Sequence, residues 1–146
     1  MKKLTQILVM LIAVATLCTN VLPFFVSAEE AITPYYSNTN TCVCNFSASG
    51  GQAKPIVSYN AKSDVFSYAK VTVKIQKRFL GVLWSTVDIG HTDNEWIAYC
   101  YDVNGTVHNS FSLEDTGTYR AVFTVEIYGT DGSVDTIEDK LTDTYE

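Results

Sequence analysis

Between Tyr68 and Arg78 the side chains alternate without a break. Val71, Val73 and Ile75 fall on one face, and Lys70, Thr72, Lys74, Gln76 and Arg78 on the other. A period of two is that of a pleated strand, so this segment reads as a ribbon with one buried and one solvated face. Thr118–Tyr128 repeats the pattern and turns Tyr119, Ala121, Phe123, Val125 and Ile127 inward. No stretch after residue 30 carries a 3.6-residue period. Shorter runs at 41–47, 54–60, 82–89, 96–102, 106–113 and 133–141 bring the expected total to seven or eight strands. Gly50-Gly51, Asn104-Gly105 and Asp131-Gly132 mark turns between them. Asn104-Gly105 reads as a type I′ hairpin, because that turn needs positive φ at both central residues. Short strands with turns roughly every 8–15 residues predict an all-β antiparallel fold, a sandwich or a barrel.

The first 28 residues read differently. Lys2 and Lys3 precede the apolar run Ile7–Ala15, Pro23 follows, and Val26-Ser27-Ala28 places small or modest residues before Glu29. That is the grammar of a helical signal peptide cleaved between Ala28 and Glu29, and it predicts a secreted, extracellular protein. An uncleaved anchor is the rival, since Leu4–Ala28 carries no charge, and it would be the chain's one link to a membrane. Residues 29–40, with Pro34, read as an irregular arm, and 41–146 as the sandwich domain. Removing Lys2 and Lys3 leaves eight basic residues against sixteen acidic ones, a charge of −8. A body that acidic is poorly suited to binding nucleic acid, which calls for a cationic face.

Loss of Cys18 with the leader leaves Cys42, Cys44 and Cys100, and in an oxidising compartment one pair of these three should bridge. Cys42 and Cys44 share one face of a strand, too far apart for a relaxed bond between them. One of them, with Cys44 preferred over Cys42, is therefore expected to pair with Cys100. The loop so closed, of nearly sixty residues, would stabilise the fold by ~4 kcal/mol. A zinc site built from these cysteines with His91 or His108 lacks the paired spacing such sites use.

Glu114-Asp115-Thr116-Gly117-Thr118-Tyr119 enters the second long ribbon as D-x-G-x-Y. It resembles the tyrosine corner of immunoglobulin-like domains, in which a Tyr hydroxyl bonds back to the upstream backbone. The resemblance implies that Gly117 permits the tight corner and Asp115 accepts from nearby amides. It departs from antibody domains two residues after Tyr119, where Ala121 stands in place of a cysteine. The body as a whole resembles short secreted proteins of Gram-positive bacteria. The matching pieces are Ile32–Tyr36, Val71–Val87, Gly117–Ala121 and Tyr128–Gly132. This likeness implies a fold and an extracellular address, and no reaction.

No nucleophile signature surrounds His91 or His108, and no motif calls for a cofactor or metal. Asp88–Glu95 is rich in oxygen donors but lacks calcium-loop spacing. A small glycan or peptide hydrolase would gather Asp88, Asp93, Glu95 or His91 in one cleft, with a carboxyl pKa raised there. The stripe Lys70, Lys74, Lys77 and Arg78 reads as the guard of a sheet edge, with an anionic wall polymer or headgroup as the alternative. Phe79-Leu80-Gly81-Val82-Leu83-Trp84 holds more apolar side chains than one strand face can bury. Trp84 reads first as a core residue between sheets; the other reading makes Phe79, Leu80, Leu83 and Trp84 an exposed patch. The expected function is a non-enzymatic binding module for a protein, glycan or envelope component. An assembly role through an odd cysteine is a further alternative.

Overall fold

The computed structural model describes residues 35–146. The leader, its Ala28–Glu29 junction and the first part of the arm lie outside the described residues. Nine strands follow: β1 (Thr39–Ser49), β2 (Gln52–Ala61), β3 (Phe66–Phe79), β4 (Leu83–Thr86), β5 (Trp96–Cys100), β6 (Asn104–His108), β7 (Phe111–Ser112), β8 (Gly117–Gly129) and β9 (Val134–Tyr145). One sheet runs β1-β2-β6, with β7 also on β2; the other runs β4-β3-β8-β9, with β5 also on β3. All pairings are antiparallel. With β1, β2 and β6 as strands A, B and E, and β9, β8 and β3 as G, F and C, the order is that of an immunoglobulin-like sandwich.

The alternating rows meet in the core as their pattern requires. Val71, Val73 and Ile75 of β3 and Ala121, Phe123, Val125 and Ile127 of β8 are fully buried, facing Ala53, Val57 and Tyr59 of β2. Large and small residues sit opposite each other in the ladder, Val73 with Phe123 and Ile75 with Ala121. Ala121, where antibody domains place a cysteine, is thus part of a dry apolar layer. The corner before β8 forms: the Tyr119 hydroxyl donates to the Asp115 carbonyl at 2.6 Å, and the Tyr119 ring is buried. The Asp115 carboxylate takes the Lys77 ammonium at 3.0 Å, instead of the amides expected of it. Gly117 has φ +144, and a Cβ there would press on the Lys77 stem at 3.1 Å. Tyr119→Phe removes one neutral hydrogen bond from a packed ring. It is expected to cost about 1 kcal/mol and to lower the thermal midpoint by about 5 °C in a melt followed by circular dichroism.

Glycine placement corrects one expectation. The type I′ turn lies at Gly50-Gly51, with φ of 58° and 71°, linking Ser49 to its ladder partner Gln52. Asn104-Gly105 is no turn at all. It lies inside β6, and β5 and β6 belong to different sheets. Gly105 pairs with Tyr59, and a Cβ there would fall 2.5 Å from the Tyr59 ring. The glycine is required by a close approach. Asp131-Gly132 does turn the chain, with Gly132 at φ +86 and Gly129 N–H bonded to the Ser133 carbonyl at 2.8 Å.

At the margin where the sheets meet, β1 and β9 lie side by side. Asp135 accepts from the Ser37 amide at 2.9 Å, the Asn38 amide at 2.6 Å and the Thr39 hydroxyl at 2.9 Å. Farther along β9, Asp143 accepts the Ala48 amide at 2.8 Å. That amide, with Thr144 N–H, holds the Asp143 carboxyl below its usual range.

Candidate functional site

β3 outruns its neighbours and, with β4, forms a hairpin whose tip leaves the core. Phe79 pairs with Leu83 and Arg78 with Trp84, and Val82 N–H closes the turn on the Phe79 carbonyl at 3.2 Å. Adjacent pairs face opposite ways, so Phe79 and Leu83 share one side and Arg78 and Trp84 the other. Leu80 and Gly81 take φ of 49° and 73°. Glycine adopts this conformation freely, whereas for leucine it costs about 1 kcal/mol. Phe79 is 58% exposed, Leu80 76%, Val82 74% and Leu83 58%. These four apolar side chains stand exposed at the tip. Trp84 is not the core residue expected from its size: it lies half-buried on the outer face, with the Arg120 guanidinium 4.2 Å from its ring centroid. Arg120 also donates to Gln76 at 2.7 Å.

The basic stripe resolves differently. β3 is paired along both margins, so its lysines guard no edge. Lys70 pairs with Glu126 at 2.8 Å, Lys74 with Glu95 at 2.6 Å and Lys77 with Asp115 at 3.0 Å. The hydrogen bond between Lys70 and Glu126 raises the ammonium pKa and lowers that of the carboxyl.

At the other end of the same outer face stand four tyrosines. Tyr68 stacks on Tyr128 at 4.3 Å between centroids, with Tyr99 at 6.3 Å and Tyr101 at 6.2 Å. The sequence reading missed this group. The signal was present in the parity of β3 and β8, which places Tyr68 and Tyr128 on the side away from Val71 and Val125.

Cys42, Cys44 and Cys100 are all free thiols, so the expected Cys44–Cys100 bridge is not formed. Cys42 and Cys44 sit on β1 opposite Tyr59 and Val57, whereas Cys100 lies on β5 in the other sheet, opposite Ala69. Tyr59 leans away from β1 onto Gly105, its hydroxyl donating to the Asp102 carbonyl at 2.8 Å. It contacts the Cys100 thiol, and its own pKa is raised chiefly by burial. Burial likewise raises the Cys100 thiol. Cys42 and Cys44 act on each other along one face of β1: a thiol–thiol hydrogen bond lowers the pKa of Cys42 and raises that of Cys44.

A cavity of about 540 Å³ is lined by Asp88, His91, Glu114, Asp115, Lys77 and Tyr119, among others. Of the residues a hydrolase would gather, only Asp88 and His91 reach it. Glu95 is turned to Lys74, and Asp93 lies in a 3-10 turn at Thr92–Asn94. His108 is exposed on β6. Among the described residues, no three His, Cys, Asp or Glu side chains converge as a metal ion would require. None of their helices is long and apolar enough to cross a membrane.

No protein family matches the chain, and no curated protein does. Solved structures similar to it include murine CRIg, with TM-score 0.41 and 16% identity over 73% of this chain and 98% of that one. The collagen-binding subdomain ACE19 of the Enterococcus faecalis surface protein ACE gives TM-score 0.39 and 13% identity over 77% and 98%. The soluble domain of PmoD from Methylocystis sp. gives 0.34 and 13% over 66% and 76%. The fold assignment stands on strand order and the tyrosine corner.

Proposed function

We propose that this chain is an exported, non-enzymatic immunoglobulin-like module that meets its partner through the β3–β4 tip. One observation carries the reading. Four large apolar side chains are held out of the core on a turn whose leucine backbone is strained, an arrangement that folding alone does not call for. The leader grammar and the resemblance to short secreted Gram-positive proteins support export. The dispersal of Glu95 and Asp93 away from the cavity of Asp88 and His91 favours binding over hydrolysis. The test compares wild type with a Phe79→Ala/Leu83→Ala double variant for retention on cell envelopes of the producing organism. A loss of about tenfold or more, with the thermal midpoint unchanged, is expected. Equal retention would remove the tip from the function.

A further inference from the structure

We infer that the β3–β4 tip docks on a lipid bilayer bearing anionic headgroups, placing Leu80 and Val82 among the acyl chains and Arg78, Arg120 and Trp84 at the headgroup level. This rests on the reading of the tip as the contact surface and names what it contacts.

The tip is convex and narrow. Four side chains at the end of a hairpin offer far less than the roughly 800 Å² per partner of a standard protein interface. Such a wedge suits a soft, apolar medium. Entering that medium requires backbone groups to be satisfied within the segment. The turn meets much of this demand itself: Val82 N–H is bonded to the Phe79 carbonyl, and the Arg78 Nε–H donates to the Gly81 carbonyl at 2.5 Å.

Charge points the same way. The chain is acidic, at −6 overall, yet the base of the tip is cationic. The ion pairs among the described residues occupy Lys70, Lys74 and Lys77, and neither Arg78 nor Arg120 is in one. A guanidinium without a carboxylate partner is suited to a phosphate by its planar fork of donors. Arg120 is braced by Gln76 and by the Trp84 ring beneath it. An indole with an apolar body and one polar N–H favours the membrane–water boundary.

The experiment is vesicle co-sedimentation of the protein as its producing cell releases it. Wild type and variants are compared in the same form, so that any contribution from residues 1–28 is common to all. The probes are phosphatidylcholine vesicles with and without phosphatidylglycerol, at low and high salt. Wild type is expected to prefer the phosphatidylglycerol vesicles, and the preference to fall with salt. Arg120→Gln should weaken binding to them about fivefold and so narrow the preference over pure phosphatidylcholine. Leu80→Asn should weaken both by about tenfold. Its thermal midpoint should hold or rise, because asparagine tolerates the left-handed backbone that leucine occupies under strain. Wild type that ignores both vesicles, or Leu80→Asn that binds like wild type, overturns the lipid assignment. If vesicles are ignored while the Phe79→Ala/Leu83→Ala variant still loses envelope retention, the tip binds a protein or glycan, and only the lipid assignment falls. If envelope retention is also unchanged, the wider reading falls with it.

Discussion

Asp135→Ala is expected to cost about 3 kcal/mol, and a thermal melt should show the midpoint falling by roughly 15 °C. Asp135 is 7% exposed and accepts two backbone amides and one hydroxyl from Ser37, Asn38 and Thr39. Removing it leaves the buried Asn38 amide and Thr39 hydroxyl without this acceptor, and the price is the desolvation of both. The loss spreads, because Asn38 is itself a clasp. Its side-chain amide donates to the Ile127 and Ser133 carbonyls at 3.1 and 3.2 Å, and its oxygen accepts from the Ser133 hydroxyl at 3.0 Å. Amide exchange at Asn38 should accelerate along with the fall in midpoint. Asp135→Asn, which exchanges one acceptor oxygen for a donor, should lose about half as much. A midpoint unchanged in the alanine variant would mean that water serves residues 37–39 as well as the carboxylate does.

Gly105→Ala carries the second large effect, expected at about 2–3 kcal/mol. The new methyl would fall 2.5 to 2.7 Å from three Tyr59 atoms. Tyr59 is stacked near Phe66, 6.3 Å between centroids, and anchored by its hydroxyl to Asp102. It cannot yield without breaking that bond. A double-mutant cycle checks the cause: in a Tyr59→Leu background the Gly105→Ala penalty should shrink below about 1 kcal/mol. Gly81→Ala is the contrast, because nothing lies within 4 Å of its would-be Cβ. Its cost should be backbone strain alone, about 1 kcal/mol.

Gly105 marks where the sequence stops being legible, and the long ribbons where it is plain. The rows of β3 and β8 were legible because each residue's chemistry states whether it faces water, and period two does the rest. Tyr119 was legible because its hydrogen bond spans only four residues of chain. Asn104-Gly105 was misread because glycine serves two needs, positive φ and close approach, that look alike until Tyr59 is placed against it. The cysteines failed for a related reason: whether two strands face each other depends on which sheet each joins, and no local pattern records that β5 joins β3. The patch at Phe79–Leu83 was visible as a surplus of apolar residues. That Trp84 belongs outside was hidden, since the guanidinium covering it comes from Arg120 on β8. Of the tyrosine group, parity shows Tyr68 and Tyr128 on the outer face, whereas their meeting with Tyr99 and Tyr101 depends on β5 joining β3.

The carboxylates of Asp135 and Asp143 have a consequence for the chain in company. An eleven-residue border such as β1 invites a stranger's ribbon to add on, which is how fibres begin. Here the outward amide of Ala48 is already taken by Asp143, and the approach to Thr39 is held by Asp135, with β9 lying across the gap. A newcomer must first displace two acids that belong to the same molecule. Crowded copies of this protein should therefore stay separate along that border, and the hold of Asp143 on Ala48 should be lost as the pH falls through the depressed range of that carboxyl.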